Sequence, residues 1–118
     1  MPTLISLDIE TTGLDCNSDA IIELAAVKFN ERRVEAEFST LINPDRLIPR
    51  EITHLTGITN EMVRSAPRIM DVIDDFAAFV GNAPIIGHNV RFDHGFLKKY
   101  NILEFNEVID TYELASVL

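Results

Sequence analysis

The fold is decided by residues 4–13, LISLDIETTG, where a short apolar run meets two acids and a turn. Residues 4–9 predict a buried strand, and Thr11-Thr12-Gly13 predicts the turn that follows it. Residues two apart on a strand point to the same face, so Asp8 and Glu10 are expected side by side. Two carboxylates would then lie together at the end of an otherwise apolar strand.

This carboxylate pair points to a divalent metal ion. The two charges repel each other and lose solvation at a buried strand, so the pair is unfavourable without a cation. Mg²⁺ and Mn²⁺ prefer oxygen ligands of this kind. Residues 8–13 therefore predict a metal site. The alternative is that the strand simply ends here and its acids are solvated, which explains Asp8 alone equally well.

The rest of the chain predicts an α/β fold. The predicted elements are strands at residues 21–29 and 34–42, short helical turns within 48–65, a helix at 69–80, a strand at 83–87, a helix capped by Asn89, a strand at 107–109 and a last helix from Thr111. A three-stranded meander followed by alternating helices and strands predicts a mixed sheet with helices on its faces.

Composition limits the setting and raises one objection. A chain of 118 residues suits one domain, and its single cysteine, Cys16, fits a reducing, cytoplasmic compartment. No signal peptide or apolar span of roughly 20 residues indicates a membrane partner. The net charge of −9 argues against binding nucleic acid, because proteins that hold phosphates are usually basic. Bound metal ions or another domain could offset this charge.

Two further acids lie near predicted helix starts. Asp93 falls in a first helical turn, where the helix dipole favours a carboxylate, so a purely structural role is one interpretation. Its apolar neighbours Phe92 and Phe96 leave it few partners, which favours a functional role. Asp110 follows a short strand, where it is either a site residue or the N-cap of the last helix.

Residues 8–13, 88–93 and Asp110-Thr111 resemble, in order and distance, the motifs of the DEDD superfamily of 3′–5′ exonucleases. The most similar branch contains the bacterial DNA polymerase III epsilon subunit, and residues 54–58, HLTGI, resemble its loop before the first helices. The resemblance implies a ribonuclease H-like fold, with a five-stranded mixed sheet, an antiparallel second strand and flanking helices. Residues 1–118 are then expected to form one exonuclease domain.

The resemblance also implies a mechanism. In that family four acids hold two divalent metal ions, and the matching catalytic and metal-binding residues here are Asp8, Glu10 and Asp93. Two Mg²⁺ or Mn²⁺ ions would activate a water and steady the leaving 3′ oxygen, releasing a nucleoside monophosphate. The expected substrate is a single-stranded or frayed 3′ end, with DNA favoured over RNA; an RNA-directed exonuclease of the same family is the alternative. A polymerase, or a fused helicase or nuclease domain, is the expected partner.

A pocket for the terminal nucleotide is implied as well. The residues expected to contact the nucleotide are Thr11, Thr12, Gly13, Leu14, His54, Leu55, Thr56, Asn89 and Phe92. Phe92 and Phe96 could stack on bases, although their spacing of four fits a helix core better. Asn89 is expected both to cap its helix and to belong to the site.

The family's third motif is a catalytic histidine followed by the fourth acid. It is expected some tens of residues after Asp110, beyond Leu118, and His54, His88 and His94 lie in other segments. The chain is therefore expected to be a C-terminally truncated domain without its last helices, and weakly active or inactive alone.

Two other classes fit part of the pattern. Haloacid dehalogenase-type phosphatases also begin with a strand ending in acid-x-acid-x-Thr, but their second acid is Asp, whereas Glu10 stands here. A phosphoryl group trapped on Asp8 would favour that class. A non-catalytic ribonuclease H-like scaffold is the other possibility, and the costly cluster with Asp93 argues against it.

Overall fold

The computed structural model describes residues 2–113. These residues form a five-stranded sheet with helices packed against it. The strands are β1 (Leu4–Thr11), β2 (Ile21–Phe29), β3 (Val34–Leu41), β4 (Ile85–Gly87) and β5 (Val108–Asp110). The helices are α1 (Arg50–Thr56), α2 (Asn60–Arg64), α3 (Ile69–Val80) and α4 (Val90–Lys98). None of the helices in the described part of the chain is long and apolar enough to cross a membrane.

The strand order is β3-β2-β1-β4-β5, which places β1 at the centre of the sheet. β2 pairs antiparallel with both β1 and β3, whereas β4 pairs parallel with β1 and with β5. The predicted mixed sheet with an antiparallel second strand is therefore confirmed. The carboxyl ends of the parallel strands β1, β4 and β5 meet at one edge of the sheet, where α/β proteins usually bind ligands.

The main core lies against one face of β1. Its alternating residues Ile5, Leu7 and Ile9 are buried, as the period of a strand with one covered face requires. Phe76 of α3 and Phe96 of α4 are fully buried in the same cluster. Truncating Phe76 to alanine would remove about 3–5 kcal/mol of stability, because a large cavity would remain. This core fixes α3 and α4 relative to the strand that carries the acids.

Four predicted strands have different boundaries in the structure: β3 ends at Leu41 rather than residue 42, β4 begins at Ile85 rather than residue 83, and β1 and β5 are also shifted. β1 continues through Glu10 to Thr11, because β2 goes on pairing with it past a register shift between those residues. β5 begins at Val108 and ends at Asp110, so Asp110 is the last residue of a strand and pairs with Gly87. The predicted last helix lies mostly outside the described residues, although residues 111–113 have helical backbone.

The predicted cap of α4 is wrong. Asn89 occupies the N-cap position in a left-handed conformation, with φ of 58°, and its side chain makes no capping hydrogen bond. Instead, the carboxylate of Asp110 accepts hydrogen bonds from the backbone N–H groups of Asn89, at 2.8 Å, and Arg91, at 3.1 Å. The helix start is thus held by β5, which lies 21 residues from Asn89 in sequence.

Candidate functional site

The three predicted acids converge at the carboxyl end of β1. Asp8 and Glu10 lie on the face of β1 opposite its buried residues. Asp93, in the first turn of α4, reaches the same strand: its Oδ2 accepts a hydrogen bond of 3.0 Å from the backbone N–H of Ile9. Because Ile9 lies between Asp8 and Glu10, this hydrogen bond brings the third carboxylate to the segment that carries the other two.

The length of β4 makes this contact possible. β4 pairs with β1 at Ile5↔Ile85 and Ser6↔Ile86, and it ends at Gly87. Beyond that point the chain turns into α4, so the N–H of Ile9 meets a carboxylate of α4 rather than a further residue of β4. The short strand β4, followed directly by α4, therefore positions the third acid.

The cluster is electrostatically unfavourable without a counter-ion. Burial raises the pKa of Asp8, and burial together with the charges of Asp8 and Glu23 raises the pKa of Glu10. Burial raises the pKa of Asp93 most, to about 7; the hydrogen bond from Ile9 opposes this, and repulsion from Asp8 and Glu10 adds to it. A divalent cation would relieve both the lost solvation and the repulsion.

Part of this cluster borders an open cavity of about 350 Å³, which we call the acid cavity. It is lined by Ser6, Leu7, Asp8, Gly87, His88, Asn89 and Asp93. Carboxylate oxygens suit hard ions such as Mg²⁺ and Mn²⁺. Within residues 2–113, no three acidic, histidine or cysteine side chains form a ready coordination group. The donor set fits a divalent ion, which would draw the carboxylates together on binding.

A second cavity, of about 200 Å³, borders the same end of β1 and is mostly apolar. This apolar pocket is lined by Ile9, Glu10, Thr11, Gly13, Leu14, Ile52, Leu55, Thr56 and Phe92. Leu14 and Leu55 are 86% and 81% exposed. Large apolar side chains left uncovered beside a concave surface are typical of a binding site. Six of the nine residues predicted to contact substrate line this pocket.

The other three predicted contacts lie elsewhere. Thr12 is buried, and its hydroxyl donates to Asp19 and accepts a hydrogen bond from the backbone N–H of Ala20. His54 is exposed on α1 and is not among the pocket's lining residues. Asn89 lines the acid cavity rather than the apolar pocket. The polar groups of Thr12 are therefore used within its own loop.

The two phenylalanines of α4 have separate positions. Phe96 is fully buried in the core, as its helical spacing predicts. Phe92 is half-buried, packs against Phe96 with ring centroids 5.1 Å apart, and also lines the apolar pocket. Only Phe92 can present part of its ring to a ligand in that pocket.

Sequence reasoning missed the place of His88. Its ring lines the acid cavity, with Nδ1 3.4 Å from the hydroxyl of Thr111 and its ring edge-on to Tyr112. The parallel register of β1 and β4 could have predicted that His88 lies near Asp8. Ser6 pairs with Ile86, so two residues further along each strand His88 is level with Asp8. Ile52 also lines the apolar pocket, but no sequence pattern predicted this position.

Asp110 lies beside the site and accepts hydrogen bonds from the backbone of two segments. Burial alone would raise its pKa, but hydrogen bonds from the backbone N–H groups of Arg91, Tyr112, Asn89 and Glu113 outweigh burial and lower the pKa. The bond of 3.0 Å from Tyr112 matches the predicted N-cap role. The same carboxylate also holds the start of α4, and with it Asp93.

Comparison with known proteins identifies the family. The family model described as exonuclease, of the RNase T type, matches residues 5–118. The chain belongs to this exonuclease family. The predicted resemblance and ribonuclease H-like fold are confirmed, and divalent metal ions are the cofactors that such exonucleases generally use.

Relatives of this exonuclease domain include replication proteins. The chain is 43% identical over 119 residues to a PolC-type DNA polymerase III of Clostridium perfringens, covering 97% of the chain and 8% of the relative. It is 38% identical over 120 residues to the DNA polymerase III subunit epsilon of Treponema pallidum, covering 96% and 55%. The chain thus spans only part of these relatives.

A solved exonuclease has the same architecture. The structure of exonuclease X in complex with 5′ overhanging duplex DNA matches with a TM-score of 0.77 and 31% identity. The match covers 97% of this exonuclease domain and 63% of that chain. The arrangement of strands and helices around the acids is therefore shared with a protein of the same class.

Proposed function

We propose that the chain is the catalytic part of a 3′–5′ exonuclease that removes nucleotides one at a time from the 3′ end of a DNA strand. The observation that carries this proposal is the hydrogen bond between Asp93 and the N–H of Ile9, which joins the third acid to Asp8 and Glu10. This hydrogen bond joins residues 84 apart in sequence and matches the order of the family motifs.

Asp8, Glu10 and Asp93 are the residues that would hold divalent ions, with two ions of Mg²⁺ or Mn²⁺ expected. Such ions supply positive charge to the scissile phosphate and make a bound water acidic enough to attack it. The chain contributes carboxylates whose pKa values are raised by burial, and repulsion from neighbouring acids adds to the rise for Glu10 and Asp93. The hydrogen bond from the N–H of Ile9 holds Asp93 beside the strand that carries the other two acids.

The apolar pocket would hold the terminal nucleoside. Leu14 and Leu55 offer exposed apolar surface, and Phe92 offers part of a ring. Glu10 lines this pocket, and Asp8, two residues earlier on the same face of β1, lines the acid cavity. A base held in the pocket would therefore direct its phosphate towards the acids, and such orientation lowers the barrier to hydrolysis.

The substrate and partner follow from the relatives. The related exonuclease X was solved on duplex DNA with a 5′ overhang, and two relatives are DNA polymerase III proteins. These support DNA over RNA, a polymerase as partner, and action in the cytoplasm. A partner that binds DNA would also offset the net charge of −9, which by itself repels phosphates.

The test is the digestion of a 5′-labelled single-stranded DNA in Mn²⁺, with a matching RNA and a closed single-stranded circle as controls. Because the chain alone is expected to have low activity, we expect a weak ladder that shortens from the 3′ end, little digestion of RNA and none of the circle. Asp93→Asn, which keeps an oxygen for the Ile9 N–H, should abolish the ladder. Internal cuts, shortening from the 5′ end, or a ladder that survives in Asp93→Asn would contradict the proposal.

A non-catalytic scaffold is the second candidate. It is favoured by one observation, namely that no ready group of three metal ligands exists within residues 2–113. A scaffold would bind neither Mn²⁺ nor the 3′ end. An anisotropy titration that detects equal affinity for the linear strand and the circle, with no effect of Mn²⁺, would favour the scaffold over the exonuclease.

A further inference from the structure

The loop between β1 and β2 forms one wall of the apolar pocket through Gly13 and Leu14. It is closed by hydrogen bonds between its two ends. The N–H of Thr12 donates to the carbonyl of Ala20 at 2.8 Å, and the N–H of Ala20 donates to the hydroxyl of Thr12 at 2.9 Å. The loop therefore has an internal frame and does not depend on a ligand for its shape.

Asp19 lies at the centre of this frame. Its Oδ1 accepts a hydrogen bond of 3.1 Å from the hydroxyl of Thr12, and its Oδ2 accepts one of 3.0 Å from the N–H of Asp15. The two bonds hold both flanks of the Gly13-Leu14 segment. A single side chain thus controls the main chain that borders the pocket.

The carboxylate also explains the glycine at position 13. A Cβ added to Gly13 would overlap the carboxylate of Asp19, at a separation closer than real Cβ contacts show. Gly13 does not need a left-handed conformation, so space rather than backbone freedom requires glycine here. The main chain at Gly13 packs directly on the Asp19 carboxylate.

Lys99 ties this loop to the rest of the site. From the end of α4, its ammonium donates to the carbonyl of Cys16 at 2.8 Å and to that of Asp19 at 3.5 Å. α4 also carries Asp93. The wall of the apolar pocket and the third acid are therefore attached to the same helix.

We propose that Asp19 is a positioning residue, which fixes Gly13 and Leu14 at the distance from the acids that the terminal nucleotide requires. This inference rests on the proposed function, because it assumes that the apolar pocket receives that nucleotide. The Asp19 side chain bonds to Thr12 and Asp15 within the loop and does not line the apolar pocket. A purely structural role would lower thermal stability but leave nucleotide affinity unchanged.

The first experiment measures binding of deoxythymidine 5′-monophosphate by calorimetry in saturating Mn²⁺, and of Mn²⁺ alone. We expect Asp19→Ala to bind the nucleotide about tenfold more weakly, because two hydrogen bonds that fix the wall are lost. Mn²⁺ binding should not change. Asp19→Asn should stay within about twofold, since its amide can accept from Asp15 and donate to the Thr12 oxygen.

The second experiment uses Gly13→Ala, which keeps every polar group. Its new Cβ should displace the Asp19 carboxylate and weaken nucleotide binding about as much as Asp19→Ala does. In the Asp19→Ala background the space is free, so Gly13→Ala should add little. This non-additivity is specific to the proposed contact. If Asp19→Ala does not fold, Gly13→Ala and Asp19→Asn alone decide the question.

Several outcomes overturn the inference. One is unchanged nucleotide affinity in Asp19→Ala or Gly13→Ala. Another is an Asp19→Asn variant that binds the nucleotide as weakly as Asp19→Ala does. The third is additivity of the effects of Asp19→Ala and Gly13→Ala on nucleotide affinity. If the unaltered chain bound Mn²⁺ but no nucleotide, the proposed function and this inference would both fail. If it bound the nucleotide and Asp19→Ala did so equally well, only this inference would fail.

Discussion

The acid cavity and the apolar pocket both border the end of β1, yet they are built from opposite chemistry. The acid cavity contains Asp8 and Asp93, whose pKa values are raised by burial. The apolar pocket is bordered by Leu14 and Leu55, which are almost fully uncovered. One region holds partly buried charge, and the other holds apolar surface that water covers.

The acid cavity holds repelling carboxylates and the apolar pocket leaves apolar surface in water, and a different part of one substrate complex would satisfy each region. A cation offsets the carboxylates, and a nucleoside covers the leucines. Glu10 borders the pocket and repels Asp93, so it links the two regions. Local violations of folding rules of this kind are typical of functional sites.

The largest effect is expected from Glu10→Gln, which keeps the shape of the side chain but removes its charge. We expect Mn²⁺ affinity to fall about 100-fold, because a charged ligand is lost, whereas binding of thymidine without a phosphate should persist. Calorimetric titrations with Mn²⁺ and with thymidine measure the two separately. Equal losses for both ligands would mean that the two regions are not distinct.

Leu55→Ala in the apolar pocket should have the opposite pattern of effects on the two ligands. Losing the apolar contact should weaken thymidine binding about tenfold and leave Mn²⁺ binding unchanged. Because Leu55 is 81% exposed, the melting temperature should also stay constant. Leu47→Ala is the matched control, since Leu47 is 80% exposed and does not line the pocket. If both variants weakened thymidine binding equally, the pocket would be in the wrong place.

Asp93→Asn tests, in the absence of metal, whether the buried charge in the acid cavity lowers the stability of the fold. The folded pKa of Asp93 is about 7, above its ordinary value of 3.8, so its charged form disfavours folding. That cost is complete above pH 7 and disappears as the pH falls towards 4. With allowance for solvent screening, the variant should be about 1 kcal/mol more stable than the parent at pH 8.

Thermal melts in a chelator at pH 8 and pH 4 measure this difference. The gain from Asp93→Asn should vanish at pH 4, and added Mn²⁺ should stabilise the parent but not the variant. Asp74→Asn, an exposed change on α3, is the control. A variant that is less stable than the parent at pH 8 would mean that the Asp93 charge supports the fold.

The smallest effect is expected from Phe105→Ala. Phe105 is 97% exposed and lies in the loop before β5, where it lines neither the acid cavity nor the apolar pocket. Stability should stay within about 0.5 kcal/mol, as for most surface changes. Mn²⁺ and thymidine titrations should match the parent. A loss of either would show that the functional surface extends beyond the end of β1.

The sequence predicted the features that depend on local periodicity, namely which residues share a strand face and which helix residues are buried. The alternation in β1 placed Asp8 and Glu10 on one face, and helical spacing placed Phe96 in the core. The order of the elements predicted the mixed sheet. These features depend on neighbouring residues, so no knowledge of the tertiary structure was needed.

Long-range contacts were beyond the same reasoning. Local periodicity could not bring Asp93 to Ile9, and only the family resemblance suggested that it joins the other acids. Asn89 was predicted as a cap because it precedes α4, whereas the capping carboxylate comes from Asp110 at the far end of the next strand. The hydrogen bonds of Asp19 to Thr12 and Asp15 were missed because a polar loop shows no sequence pattern that predicts them.

The central claim is that Asp8, Glu10 and Asp93 form a site for divalent metal. Its most direct test is a calorimetric titration of Mn²⁺ into the chain and into Asp8→Ala. We expect saturable binding to the chain and its loss in the variant. Absence of binding at millimolar Mn²⁺, or equal binding by Asp8→Ala, would contradict the claim.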